Sequence, residues 1–174
     1  SVAPELLYME AKWSSLVSYG LSLDALQDLL PIDLTLDVKT VRYDTLKVAK
    51  RLEAELGDEQ LSFIEGEPRA WELLPPPEGF FTVGSDGGYV RNWVDKKHTF
   101  AVIVGKSIRG FAEGEEARTP SIKRFGFVQT LDTKSKRRLY EVLHSQNLQM
   151  NQEITFLSDG DDTLRALQWE MSPQ

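Results

Sequence analysis

The spacing of apolar residues changes near residue 80, and no other feature constrains the fold of this chain as much. Before that point apolar residues recur at intervals of three and four, as one face of a helix requires. After it, short runs rich in β-branched and aromatic residues alternate with turn residues, as in strands. Three prolines at 75–77 precede the change and favour an extended spacer. We therefore expect a helical segment at 1–56, an acidic proline-containing linker at 57–79 and an α/β domain at 80–174.

The first segment is predicted to contain three helices. The first covers residues 5–19 and stops at Gly20, because glycine commonly ends a helix. Ser22 is expected to cap the second helix, whose leucines share one face. Asp37 is expected to cap a third helix that ends near residue 56.

The second and third helices are joined by a short link, an arrangement that resembles a helix-turn-helix. Three basic residues lie on the third helix, where such a motif contacts DNA: Lys39, Arg42 and Lys47. An antiparallel helical hairpin that only packs is the alternative, since the link lacks glycine and the third helix ends in an acidic stretch. The pattern therefore predicts a DNA-binding segment, with that alternative open.

The second half is predicted to form a mixed α/β layer, because three consecutive strands are followed by a helix, a strand and a helix. The strands are expected at 81–94, 99–108, 123–131 and 153–159, and the helices from 132 or 133 to about 145 and from 161 onward. This order matches the opening of an RNase H-like fold, in which the first strands form a meander and the fourth lies parallel beside the first. The predicted domain is thus a partial RNase H-like mixed sheet with flanking helices.

Two aspartates lie where predicted strands bend or end. Asp86 lies in TVGSDGGYVR, and Asp159 follows ITFLS. In the expected strand order the two carboxylates are neighbours, and such a pair suits a hard cation such as Mg²⁺. Sites of this kind commonly serve phosphoryl transfer on nucleic acid. Each residue also has a structural alternative, because aspartate before two glycines is a turn signal and aspartate before a helix is a frequent cap.

The distribution of charge allows a nucleic-acid partner in spite of a formal net charge of −7. Residues 53–78 carry eight acidic side chains and one basic side chain, which accounts for the whole net charge. Basic clusters flank both aspartates and could meet phosphates locally. Four of these residues are predicted DNA contacts: Arg91, Lys106, Lys123 and Arg124. Solvated strand ends and an exposed helix face are the alternative explanation.

The composition excludes several classes of protein. The chain has no cysteine, so disulfides, thiolate zinc sites and cysteine nucleophiles are excluded, and a reducing cytoplasm fits. No apolar run approaches the length of a membrane span, and the N-terminal residues lack the pattern of a secretory signal. We expect a soluble cytoplasmic protein without a membrane partner.

Several segments, in the same order over nearly the whole chain, resemble insertion-sequence transposases of the Kra group. They are SYGLSLDALQDLLP, DVKTVRYDTLKVAKRLEAELG, VGSDGGYVR, VIVGKS, RFGFVQTLD and RRLYEVLHSQNLQMNQEITFLSDGDDTLR. The resemblance implies an RNase H-like catalytic domain of the DDE type, which cuts and joins DNA with Mg²⁺ or Mn²⁺. It implies that Asp86 and Asp159 are the first two catalytic aspartates and metal ligands. It also implies that the helix-turn-helix-like segment recognises transposon ends.

The chain departs from the family pattern at two points. Asp161 stands where glycine is more usual, and relatives continue past the position of Gln174 to a fifth strand and a third acidic residue. Neither Glu153 nor Glu170 has the position needed to replace that residue. The expectation is a truncated transposase with weak metal binding, inactive alone, that could form a homo-oligomer along an exposed sheet edge. A DNA-binding or regulatory module without catalysis is one alternative, and a domain whose aspartates serve only turns and caps is another.

Overall fold

The computed structural model describes residues 2–30, 36–111, 119–159 and 162–171. Within this part of the chain there are six helices and one four-stranded mixed sheet, so the expected α/β class is confirmed. The chain divides into two compact units, Ser1–Gly57 and Asp58–Gln174. The first unit is helical, and the second contains the sheet.

The helical unit consists of α1 (Pro4–Ser14), α2 (Tyr19–Leu29) and α3 (Val38–Glu55). Its helices pack on one another around the fully buried side chains of Leu26 and Val41. The predicted cap of α3 is confirmed, because the carboxylate of Asp37 accepts a hydrogen bond from the N–H of Thr40 at 2.7 Å. The backbone of residues 31–35, the link between α2 and α3, lies outside the described residues.

The start of α2 differs from the prediction. Its cap is Ser18, whose hydroxyl accepts from the N–H of Leu21, and Gly20 lies inside the first turn rather than at a helix end. Ser22 is buried, and its hydroxyl donates to the carbonyl of Ser18 at 2.9 Å. The predicted stop at Gly20 and cap at Ser22 were therefore wrong, because a serine one turn earlier satisfies the free N–H groups of the helix.

The sheet contains β1 (Phe80–Arg91), β2 (Thr99–Gly110), β3 (Ser121–Val128) and β4 (Ile154–Leu157). Their spatial order is β3-β2-β1-β4, with β2 antiparallel to both of its neighbours and β4 parallel to β1. The predicted meander, with the fourth strand parallel beside the first, is confirmed. β1 and β4 are consecutive in space, so the chain segments that carry Asp86 and Asp159 are brought to one region.

The core of the second unit lies on one face of the sheet, under α5 (Ser135–His144) and α6 (Asp162–Trp169). Alternate strand residues point into it, since successive side chains of a strand face opposite sides. The core side chains that the sheet and these two helices contribute include Phe81, Val83, Ile103, Phe127, Leu139, Leu143, Leu164 and Leu167. Val104, Ile122 and Leu157 lie on the other face and are exposed.

Residues 58–79, which the composition indicates as a linker, belong to the second unit. They contain the short helix α4 (Pro68–Trp71), and Phe63 is only 1% exposed in the core under the sheet. The segment is further held by the amide of Gln152, which donates to the carbonyl of Gly79 at 2.9 Å. Composition indicated a spacer because the segment is acidic and rich in proline, whereas several of its hydrogen bonds join residues about 75–110 positions later in the chain.

The cap of α5 comes from this same segment. The carboxylate of Glu59 accepts hydrogen bonds of 3.0 Å from the N–H groups of Lys136 and Arg137 in the first turn of α5. The sequence predicted a cap by Asp132 or Thr133. Asp132 instead accepts from the N–H of Lys134, so the predicted cap was wrong.

Among the described helices, none combines the length and the apolar character that crossing a membrane requires.

Candidate functional site

Asp86 lies inside a continuous strand. Its partner across the β1–β2 ladder is Val104, and the two glycines that follow are paired with Ile103 and Val102. Neither Gly87 nor Gly88 has a positive φ angle. The alternative that Asp86 serves a turn is therefore wrong. Because the residue lies in a strand, its exposed side chain is not needed to hold the backbone of a turn.

The register of β1 and β4 brings the two aspartates to one level of the sheet. The parallel pairs run one to one from Phe81 opposite Ile154 to Gly84 opposite Leu157. Extending this register by two residues would place Asp159 opposite Asp86, and neighbouring strands lie about 4.8 Å apart. In that register both side chains would lie on the face opposite Phe81, but the pairing of the two strands ends at Leu157. Beyond it, Asp159 lines a cavity on the core side of the sheet, whereas Asp86 lies on the other face, so the two carboxylates are not brought onto one face. Asp159 itself follows the last paired residue of β4 by two positions.

A small cavity of about 130 Å³ opens at this end of the sheet, on the side of the core. Asp159 lines it together with Gly87 and Gly88, and Leu164 at the start of α6 closes one side. The side-chain oxygen of Gln129 is buried without a hydrogen-bond partner, and Gln129 also lines the cavity. The volume suffices for several water molecules. Sequence reasoning missed Gln129, although a polar residue at the end of an apolar strand was a signal for it.

Asp86 and Asp159 are the two acidic residues that were predicted to bind a metal ion in this region. Among the residues that the structure describes, no group of three or more histidine, cysteine, aspartate or glutamate side chains could hold a metal ion. Asp161 lies outside the described residues. The two-carboxylate metal site stays a prediction whose geometric support is the register of β1 and β4.

The basic residues assigned to DNA in the second unit are divided between the two faces of the sheet. Lys106 and Arg124 are exposed, lie directly opposite each other, and share the face of Asp86. Like charges opposite each other repel, so an anion placed over them is favoured. Lys123 points to the other face, where its ammonium donates to the hydroxyl of Ser145 at 2.7 Å. Arg91 is exposed at the end of β1.

Other basic residues of the second unit are held in contacts within the protein. The guanidinium of Arg109 donates to the carbonyl of Gln146 at 2.8 Å, and Arg138 forms an ion pair with Asp132. Lys136 donates to the carbonyl of Leu61 at 3.0 Å. These cations stabilise the fold, so the positive charge available to a ligand in this unit is smaller than the sequence suggested.

In the helical unit, the three basic residues of α3 that were assigned to DNA lie on its exposed face. Lys39, Arg42 and Lys47 are all exposed, and so is Lys50. The one acidic residue between positions 38 and 50 is Asp44, which points inward and is 5% exposed. The exposed face of this part of the helix therefore carries positive charge without an acidic side chain, which suits a polyanion.

Asp44 and Glu10 form a buried acidic pair between α1 and α3. Glu10 is fully buried, and neither carboxylate oxygen has a hydrogen-bond partner. Burial, and secondarily the charge of Asp44, raises the pKa of Glu10 to about 7. Sequence reasoning missed this pair. The signal was the position of Glu10, which shares a helix face with Leu6 and Trp13 at helical spacing.

Comparisons of the chain with protein families, curated proteins and solved structures found no match. The resemblance to transposases of the Kra group therefore stays an expectation. Any function assigned to the chain has to be argued from its own residues and their geometry.

Proposed function

We propose that this protein acts on DNA as a transposase-type protein or a part of one. In this proposal α3 binds DNA, and the ends of β1 and β4 hold a divalent metal ion through Asp86 and Asp159. The observation that carries the proposal is the parallel pairing of β4 with β1, because its register leads to these two aspartates. The exposed cations Lys106 and Arg124, on the face of Asp86, support a phosphate-bearing ligand.

The residues at this end of the sheet fit a hard cation. Mg²⁺ and Mn²⁺ accept carboxylate oxygens and retain several waters, so two aspartates are a suitable though small donor set. When bound, such a metal activates a water or a 3′-hydroxyl and stabilises the leaving oxygen of a phosphodiester. The role of this chain's own residues is to bind the metal and to position a phosphate over the open face beside Lys106.

Metal binding is the first test of the proposal. We expect weak binding of Mn²⁺ by calorimetry, and a loss of about tenfold or more in affinity for Asp86→Asn and for Asp159→Asn. Asp24→Asn is the matched control, because Asp24 is an exposed aspartate on α2. Unchanged Mn²⁺ affinity in both site variants would reject the paired site. A loss of thermal stability without a change in metal affinity would show that the aspartates are structural.

A DNA-binding module without catalysis is the second candidate, and the basic face of α3 favours it. Fluorescence anisotropy with duplex DNA, recorded over a salt series in EDTA, tests this part of the proposal separately. For Lys39→Ala, Arg42→Ala or Lys47→Ala we expect the slope of log affinity against log salt to fall by about 0.9 each. Arg69→Ala, at an exposed arginine of α4, is the control with the same loss of charge. No binding at low salt would reject DNA binding, and DNA binding without Mn²⁺ binding would favour the second candidate.

A further inference from the structure

The turn between β1 and β2 presents two large apolar side chains to solvent. Trp93 is 88% exposed and Val94 is 93% exposed. Burying a side chain of this size would contribute about 1.5–3 kcal/mol to stability. Because both side chains are exposed, the fold does not gain this free energy. Adjacent exposed apolar residues of this kind mark interaction sites when further features specify a ligand.

The polar side chains of the turn are directed to its own backbone. The side-chain oxygen of Asn92 accepts from the N–H of Val94 at 2.9 Å and from the N–H of Asp95 at 3.2 Å. The carboxylate of Asp95 contacts the imidazole of His98 at 2.7 Å, and the N–H of Asn92 donates to the carbonyl of His98 at 2.9 Å. These bonds hold the turn in one conformation, so Trp93 is presented to a ligand at a low cost in ordering entropy.

Cations flank the exposed indole in the sequence. Lys96 and Lys97 follow it in the turn, Arg91 precedes it, and all three are exposed. The ammonium of Lys96 lies 6.0 Å from the centre of the Trp93 ring. The one acidic residue of the turn, Asp95, is engaged with the backbone and with His98.

An exposed indole next to lysines favours a nucleic acid over a protein as the partner of this turn. Lysine is depleted in protein–protein interfaces, whereas Trp93 has two lysines within four positions. Surfaces that bind single-stranded nucleic acid combine an aromatic ring, on which a base stacks, with cations that contact the flanking phosphates. A base in a duplex is already stacked on its neighbours on both sides. An exposed indole at the tip of a turn therefore suits an unpaired base, which has a free face for stacking.

We propose that the tip of the β1–β2 hairpin, residues 91–97, binds unpaired DNA, with Trp93 stacked on a base and Lys96 and Lys97 next to phosphates. The inference rests on the proposed function, because β1 carries Asp86 and leads into the tip. Trp93 lies seven positions after Asp86, and five of these positions are in the strand, so the two residues are at most about 23 Å apart. An unpaired strand a few nucleotides long would reach from the tip to the aspartates.

The test measures the affinity of the full chain for a labelled oligothymidylate and for a blunt duplex, in EDTA so that no metal is involved. We expect Trp93→Ala to lose roughly tenfold in affinity for the single strand and to bind the duplex as the unmodified protein does. Trp93→Phe, which keeps an aromatic ring, should retain most of the affinity. Trp169→Ala is the matched control, since Trp169 is 79% exposed on α6 and should be without effect.

Two further measurements sharpen the test. Lys96→Ala with Lys97→Ala should lower the salt slope for the single strand by about 1.4. Tryptophan emission should be quenched by the oligonucleotide in the unmodified protein and much less in Trp93→Phe.

Single-strand affinity that is unchanged in Trp93→Ala would overturn the inference, and so would equal losses in Trp93→Ala and Trp169→Ala. A change in self-association, or in binding to phosphatidylserine vesicles, without a change in DNA affinity would assign the tip to another partner. Neither result would bear on the Mn²⁺ titration or on duplex binding by α3, so failure of the inference is separate from failure of the proposed function.

Discussion

Glu10 is a residue whose ionisation is coupled to the folding of the helical unit. Its carboxylate is fully buried and has no hydrogen-bond partner, and Asp44 of α3 is buried nearby. Burial and the charge of Asp44 raise its pKa from 4.5 to about 7. A buried carboxyl group of this kind stays neutral in the folded state up to about pH 7, because its charged form is poorly solvated.

The helical unit should therefore lose stability as the pH rises from about 4.5 to 7. The raised pKa means that the folded state holds a proton that the unfolded state releases, so the contribution of Glu10 is fully present below pH 4.5 and is lost as the pH passes 7. A shift of this size corresponds to about 3 kcal/mol as an upper figure. Glu10→Gln should remove this pH dependence and raise the unfolding free energy at pH 8 by about 2 kcal/mol. Urea unfolding followed by far-UV circular dichroism at several pH values measures both effects.

The control for this measurement is Glu5→Gln, on the same helix but exposed. It should leave the dependence on pH as it is in the unmodified protein. A stability curve of Glu10→Gln that still falls between pH 4.5 and 7 would show that another group is responsible.

Strand β1 contains a glycine, Gly88, at a position where the fold has room for a side chain. A Cβ atom at Gly88 would meet nothing within 4 Å, and the residue is in extended conformation between Gly87 and Tyr89. Gly105 of β2 differs, because a Cβ there would lie 2.2 Å from the ring of Phe125. Packing explains the glycine at position 105, and it does not explain the one at position 88.

Gly88→Ala should therefore keep or raise the stability of the second unit, by about 0.5 kcal/mol, since alanine restricts the unfolded chain more than glycine does. Gly105→Ala should lower it by about 1 kcal/mol or more, because the Phe125 ring has to move. Gly88 lies on the same face as Asp86, so its new methyl group should weaken DNA binding in the presence of Mn²⁺. Thermal unfolding and anisotropy give the two readouts, and a stable variant with unaltered DNA affinity would contradict a close approach of phosphate at this strand.

The order of the elements could be predicted from the sequence, whereas several of their ends could not. Runs such as TFAVIVGKSI and the capping residue Asp37 carry local signals, and local signals suffice for the succession of elements along the chain and for the start of α3. The spatial order of the strands followed instead from the match to the opening of an RNase H-like fold. The start of α5 depends on Glu59, which is 76 positions before the helix begins, and no local pattern shows that contact. The start of α2 was predicted wrongly because both Ser18 and Ser22 are suitable caps. Ser18 is the cap in the structure, and Ser22 is buried inside the helix.

The candidate site was predictable to a similar degree. That Asp86 continues a strand followed from YVRNWV after the glycines, and the structure confirms it. The sequence could not show which basic residues are available to a ligand. Lys123 and Arg109 form hydrogen bonds within the protein and Lys106 is exposed, and this difference arises only from three-dimensional packing. The exposure of Trp93 could not be read from its hydrophobicity, since the same residue type is more often buried.

The acidic stretch of the sequence does not coincide with either of the two structural units. The acidic stretch 53–78 crosses the boundary at Gly57, and most of it belongs to the unit with the sheet. Glu59 shows why a charged segment can be structural, because its carboxylate caps α5. The segment 58–79 covers one side of the core under the sheet, and Phe63 is its anchor.

The contacts of Phe63 determine how strongly segment 58–79 is held to the core. Phe63 is 1% exposed, its ring is stacked on Tyr140 with 4.5 Å between the ring centres, and its N–H donates to the carbonyl of Glu170. Removal of a buried phenylalanine side chain costs about 3–5 kcal/mol, because both the transfer free energy and the packing are lost. Phe63→Ala should therefore destabilise the second unit by that amount in urea unfolding, while Leu61→Ala, at a residue 89% exposed, should have little effect. If segment 58–79 were only a spacer, both variants would unfold as the unmodified protein does.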